Sequence, residues 1–219
     1  MPDPNIDPPA LSLEGFEHLA PRVQPTQKRA RQTLERILET AARLIDEVGI
    51  EAFNTNLLAQ RAGVRIRTVY RYFPNKTAVI AALMIRFHQQ SDQAMGPIQD
   101  LGDPERDWRA LINHWADALL TWAARTPGAL LLTGDLQGIP ELLALQEHLD
   151  TAIATELVRA MQARGLSIPE EELCVICRTF IDTADALTAL AVAKRSDRSA
   201  EVAEELKLVL TSYLANYLD

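Results

Sequence analysis

The 219-residue sequence has only two cysteines, Cys174 and Cys177, so no disulfide framework holds it together and a reducing compartment suits it. No apolar run approaches the roughly 18–20 residues that a bilayer-spanning helix needs. The opening MPDPNIDPPA lacks both a basic start and an apolar stretch, so it does not read as a secretory signal. A soluble cytoplasmic chain with no membrane partner is the expectation. Glycine is scarce at nine residues, aromatics are 5%, and β-branched alternation is missing, which leaves little material for strands. No repeat recurs at a period of roughly 20–50 residues. A nucleophile elbow, a Walker loop, HExxH and a dinucleotide glycine loop are all missing, so no catalytic residue and no cofactor is expected. Asp182 and Asp185 sit on one helix but do not alone make an acid–base pair. Cys174 and Cys177 share a helix face, with no second Cys or His pair nearby, and read as buried apolar groups rather than metal ligands.

What is present is a 47% apolar, 24% charged chain, enough for a real core and too balanced for wholesale disorder. The formal charge of −8 is unevenly spread. Residues 1–25 carry −3, residues 26–90 carry +6 (11 Lys/Arg against 5 Asp/Glu) and residues 91–219 carry −11. A basic block inside an acidic chain suggests a polyanion-binding module joined to something else. The division expected is a disordered tail over 1–25, a basic domain over 26–90 and an acidic helical domain over 91–219.

Helical periodicity runs through nearly everything after Lys28. Leu34, Ile37, Leu38, Ala41, Leu44, Ile45 and Val48 form one stripe of a first helix, stopped by Gly49. A second helix starts at Asn54 or Thr55, Gly63-Val64 turns the chain, and Ile66–Phe73 makes a short third helix broken by Pro74. Asn75 caps a fourth, which ends by Gly96-Pro97. Asp103-Pro104-Glu105 reads as the start of a fifth. Another long helix runs from Pro140 to Arg164. Ser167 and Glu170 have capping-box spacing before a helix reaching about Lys194, and the last helix spans about Ser199–Leu218. The fold class is all-α.

Residues 54–73 have helix-turn-helix geometry, whose second helix can enter a major groove. That helix is dense in groups suited to DNA. Arg65, Arg67 and Arg71 reach phosphates or guanine edges, Thr68 a phosphate or thymine methyl, and Tyr70 and Tyr72 the backbone. Val69 and Phe73 should face the core, which turns the polar groups outward. Helix N-termini near Thr55 and Lys76 suit phosphate oxygens. Lys28, Arg29 and Arg31 are placed to follow the DNA backbone or a minor groove.

The first helix ILETAARLIDEVG, the LLAQRAGV turn and above all TVYRYFPNK resemble the DNA-binding domain of the TetR family of bacterial transcriptional regulators, over about Gln32–Phe87. The resemblance implies a three-helix reader domain and a C-terminal helical ligand-binding and dimerisation domain. It implies repression of a double-stranded DNA operator, relieved by a small-molecule effector. Thr55 would then hold a phosphate, Arg65, Arg67, Thr68 and Tyr70 would lead the reading face, and Tyr72 and Lys76 would clamp phosphates. Arg65 stands where the family usually has a small capping hydroxyl, and Arg67 where Gly is common. The missing cap should cost about 1 kcal/mol.

In the acidic half, Trp108, Trp115 and Trp122 are seven apart on one helix and read first as a core seam. The alternative is the wall of an effector cavity, with Met84, Phe87, Leu119, Met161 and Phe180 giving it apolar and aromatic character and His88 and His114 polar contacts. The last two helices have wide apolar faces that would pair with a second copy as a four-helix homodimer interface. Two rival functions remain: a helical dimerisation adaptor with an inactive reader, and, more remotely, a small-molecule enzyme.

Overall fold

The structure is a computed structural model that describes residues 14–132, 136, 138–193 and 198–219. The outer tail over 1–13, Thr133 and the polar segment 194–197 lie outside the described residues.

Among the described residues there are eight α-helices and no strand. They are α1 (Lys28–Ala52), α2 (Thr55–Arg61), α3 (Ile66–Tyr72), α4 (Lys76–Met95), α5 (Trp108–Arg125), α6 (Pro140–Ala163), α7 (Glu170–Val192) and α8 (Ser199–Leu218). None is long and apolar enough to cross a membrane. The all-α architecture with a helix-turn-helix near the N-terminus is as the sequence predicts. Gly49 breaks the helical backbone of α1 at φ +77°, and the chain completes one more turn before Phe53.

Two apolar cores form. The first joins α1–α4 and is sealed by Ile37, Leu44, Leu58, Val69, Phe73 and Leu83. It also takes in Leu142, Leu145 and Leu149 from α6. The second gathers Trp108, Ile112 and Trp115 of α5 with Met161, Phe180 and Leu210 of the following helices. The expected boundary at residue 90 therefore falls inside α4, whose 20 residues run on to Met95 and bury side chains along most of their length. One rigid rod is shared by the basic and the acidic parts.

Three local readings change. Residues 14–25 are not a loose tail. Leu19 is buried in the first core, the Phe16 ring lies 5.3 Å from that of His148 on α6, and the Arg22 N–H donates to the Tyr72 carbonyl at 2.8 Å. Isolated apolar residues between prolines and acids carry no period, so tertiary contact alone orders them. The helix expected from Asp103 begins at Trp108. Asp103 accepts from the Glu105 N–H and closes a turn, while Asp107 accepts from the N–H groups of Arg109 and Ala110 as the cap. The Ser167–Glu170 box does not form, because α7 starts at Glu170 behind Pro169 and has no side-chain cap. The connection into α5 is instead held by Arg164, which donates to the carbonyls of Leu101, Asp103 and Arg106 at 2.8–3.0 Å.

Candidate nucleic-acid interface

The short helix α3 rests on Val69, Tyr72 and Phe73, each at most 2% exposed. The residues between them must then point to solvent. Arg65, Arg67, Tyr70 and Arg71 are exposed and Thr68 is half-buried. No described acid forms a salt bridge with Arg65, Arg67 or Arg71. The pattern extends to α1, where Lys28, Arg29, Arg31 and Arg36 also have no such partner. The paired cations of this part are Arg43 with Glu39, Arg61 with Glu47 and Arg86 with Glu35, away from the reading helix. Ion pairing thus uses up acids on α1 and leaves the cations of α3 and of the α1 N-terminus available to a polyanion. Lys28, Arg31, Gln32, Glu35, Arg36 and Glu39 line an open groove along α1. Arg36 was not picked out from the sequence; its spacing of seven from Arg29 on a helix is the signal that places it on the same face.

Helix ends set the orientation of this surface. Asn54 caps α2 by accepting from the Leu57 N–H at 2.9 Å, and Asn75 caps α4 by accepting from Ala78 at 2.8 Å. Arg65 occupies the cap position of α3 with extended backbone and no side-chain bond, as its chemistry dictates. Arg65→Ser should therefore raise the melting temperature by about 2–4 °C, the equivalent of roughly 1 kcal/mol for a chain of this size. Calorimetry checks this; an unchanged or lower melting temperature would mean the end of α3 is already satisfied.

Two expected phosphate contacts are redirected. Thr55 is buried, and its hydroxyl shares a hydrogen bond with the Tyr70 hydroxyl at 3.1 Å. The start of α2 is thereby tied to the exposed face of α3. Tyr72, expected to clamp a phosphate, is turned inward. Its ring is buried, and its hydroxyl donates to the Ala30 carbonyl at 3.3 Å. Val69 and Tyr72 are three apart and share a face, so the same spacing that turned Val69 inward applied to Tyr72. Tyr72 is a positioning residue that fixes α3 against the first turn of α1, next to Arg29 and Arg31. Lys76 is half-buried in the first turn of α4.

The residues expected to wall an apolar effector cavity do not converge. Met84, Phe87 and Trp122 belong to the first core, with the Phe87 and Trp122 rings edge-on at 6.1 Å. Trp115, Met161 and Phe180 belong to the second. Leu119 is half-buried and His114 is exposed, and neither belongs to either core. The seven-residue spacing put the tryptophans on one stripe, but α5 crosses from one core to the other along its length. His88 alone of the polar pair is buried. Burial holds its imidazole neutral, with a pKa down to about 4. Cys177 is buried beside the Met161 sulfur at 3.5 Å, while Cys174 is exposed, against the expectation that both are core. Among the described residues no group of His, Cys, Asp or Glu is placed to hold a metal ion.

Comparison with known proteins agrees with this geometry. Residues 37–83 match the family described as bacterial regulatory proteins, tetR family, and residues 107–214 match the tetracyclin repressor-like C-terminal domain. A nucleoid occlusion factor, SlmA of Haemophilus influenzae, is 37% identical over 78 residues, 34% of this chain and 36% of that one. The transcriptional regulator EthR of Mycobacterium tuberculosis is 35% identical over 143 residues, 63% of this chain and 66% of that one. The chain thus spans between about a third and two thirds of the length of these relatives. A crystal structure of a TetR-family transcriptional regulator from Streptomyces coelicolor superposes with a TM-score of 0.62 at 29% identity, over 84% of this chain and 99% of that one.

Proposed function

Because the chain belongs to the TetR family of bacterial regulatory proteins, and so to DNA-binding transcriptional regulators rather than enzymes, we propose that it acts as a dimeric repressor released from its operator by a small molecule. The observation that carries the reading is the solvent-facing edge of α3, where Arg65, Arg67 and Arg71 stand beside Tyr70 with no acidic partner among the described residues. Their guanidiniums suit phosphates and guanine edges. The α1 N-terminus, held to α3 through Tyr72 and Ala30, adds Arg29 and Arg31. Thr68, Lys76 and the Thr55–Tyr70 pair complete the surface. Residues 26–90 serve as the reader and residues 91–219 as the effector-binding and dimerisation part, with α4 common to both.

Dimerisation is supported by α7 and α8. Val175, Leu190, Leu208 and Val209 are large apolar side chains left exposed on these two packed helices. A second copy covering them would present two reading helices about 34–36 Å apart, one DNA turn. An effector that favours a conformer with another spacing lowers operator affinity, and a few kcal/mol of differential binding is enough.

The test is fluorescence anisotropy with DNA from upstream of the chain's own gene, as a function of salt. Sequence-specific binding is expected, with log affinity falling against log salt at a slope of about −5 or steeper for six phosphate contacts. Absence of any specific complex at moderate salt would favour an adaptor whose reader is inactive.

A further inference from the structure

A band of polar groups is closed off where α4, α6 and α7 meet, outside both apolar cores. His88 on α4 and Thr188 on α7 are each only 4% exposed. The His88 Nε2, the Gln146 Oε1 and the Thr188 Oγ1 are all buried without a hydrogen-bond partner. Native interiors rarely leave such atoms unpaired, because desolvation without a replacement bond costs free energy. At the centre is the buried carboxylate of Asp150. Its Oδ1 accepts from the Gln146 Nε2 at 2.7 Å and lies 3.9 Å from the His88 Nε2.

The charge around Asp150 is unbalanced. Arg178 is the one described cation paired with it, at 3.3 Å, and that guanidinium is already bidentate to Glu147 at 2.8 and 2.9 Å and bonded to Asp182 at 2.7 Å. Asp185, one turn before Thr188 on α7, adds a further carboxyl that feels the charge of Asp150 and Asp182. Asp92 stands one turn beyond His88 on α4. Burial pushes the carboxyls of Asp92 and Asp150 up to about 6 and, with help from the neighbouring acids, Asp185 to about 7. His88, held neutral, supplies no compensating charge.

The chemistry of the unpaired atoms selects the occupant. Carboxylate oxygens and the Gln146 Oε1 only accept hydrogen bonds. The Thr188 hydroxyl and a neutral imidazole can each be made to accept. A group that brings several donors and a positive charge satisfies all of them; an anion satisfies none of the carboxylates. We infer that the seam built on His88, Gln146, Asp150 and Thr188 is a binding site for a protonated amine carried by a small organic effector. This rests on the effector-released reading above and narrows its ligand from an apolar molecule to an organic cation. Seating the amine parts α4 from α6 and α7. The first turns of α4 hold Val79, Ile80 and Leu83 in the core beneath the reading helix, so displacement of His88 is carried by one continuous helix to the DNA-binding surface.

The experiment follows melting and calorimetric binding of the full chain with phenethylamine. Its uncharged analogue 2-phenylethanol and the anion 3-phenylpropionate are run beside it. The melting temperature should rise with amine concentration up to about 10 mM, as ligand binding to the folded state requires, and should not rise with the other two. Thr188→Val and Gln146→Leu leave the Arg178 ion pairs and the DNA face intact. Each should weaken amine binding about tenfold or more, one lost charge-assisted bond. No response to the amine, an equal response to 2-phenylethanol, or unaltered binding in both variants overturns the site. Operator release is measured separately. Amine binding without release upholds the site and counts against effector control. Release by a compound whose binding ignores both substitutions upholds effector control and overturns this site.

Discussion

Arg67→Ala/Tyr70→Ala should bind operator DNA roughly 100-fold or more weakly than the parent chain while its self-association is unchanged, since each good side-chain contact in a groove is worth about 1–3 kcal/mol. Both side chains project from the exposed side of α3, and Tyr70 is 43% exposed. Neither fills a core, so the folded population should be preserved. Tyr70 also holds the Thr55 hydroxyl, and its loss frees the start of α2 to shift against α3. Arg61→Ala is the matched control. Arg61 is in the same helix-turn-helix but is tied to Glu47 at 2.9 Å, so removing it should change affinity far less. Anisotropy titration at fixed salt measures both, with sedimentation for the oligomeric state. Wild-type affinity in the double variant would mean that α3 is not the reading element.

This surface was legible in the sequence because it is built locally. Seven residues of α3, a glycine turn and two asparagine caps fix where each side chain points, and all lie within about one motif of TVYRYFPNK. What escaped was built from distant parts of the chain. The contact of Phe16 with His148 spans 132 positions and has no periodic signature. Tyr72 turned inward because its hydroxyl meets a carbonyl of α1, 42 residues earlier. The seam around Asp150 draws its polar residues from three helices, so no single stretch of sequence displays it. Periodicity reports the majority character of a face, and it hides a lone Thr188 set among leucines and alanines. The tryptophan stripe failed for the related reason that a helix of 18 residues can serve two cores in succession.

The joint between the two parts is most exposed to substitution at Gly128. Gly128→Ala should lower stability by about 2–4 kcal/mol, the sum of a left-handed backbone cost of ~1–2 kcal/mol and an overpacking cost of similar size. The residue follows α5 at φ +78°, and an added Cβ would lie 2.9 Å from the carbonyl oxygen of Ala42 and 3.4 Å from its Cα. Those atoms are backbone in the middle of α1, bonded into the helix, and cannot swing aside as a flexible side chain would. The turn that follows α5 therefore seats directly on the helix whose first turn carries Arg29 and Arg31. Gly165→Ala separates the two contributions. Gly165 has φ +105° with no neighbour within 4 Å of the new Cβ, so it should show the backbone cost alone. The expected order of melting temperatures is parent, then Gly165→Ala, then Gly128→Ala, the last lower than the parent by about 4–16 °C at about 2–4 °C per kcal/mol. Gly128→Ala should also weaken operator binding beyond what its unfolded fraction explains, because α1 must move to admit the methyl group. Gly165→Ala, beyond α6 and remote from α1, should not. Equal losses from the two variants would mean that the turn after α5 and the middle of α1 are not in the close contact that transmits movement of the acidic half to the reader.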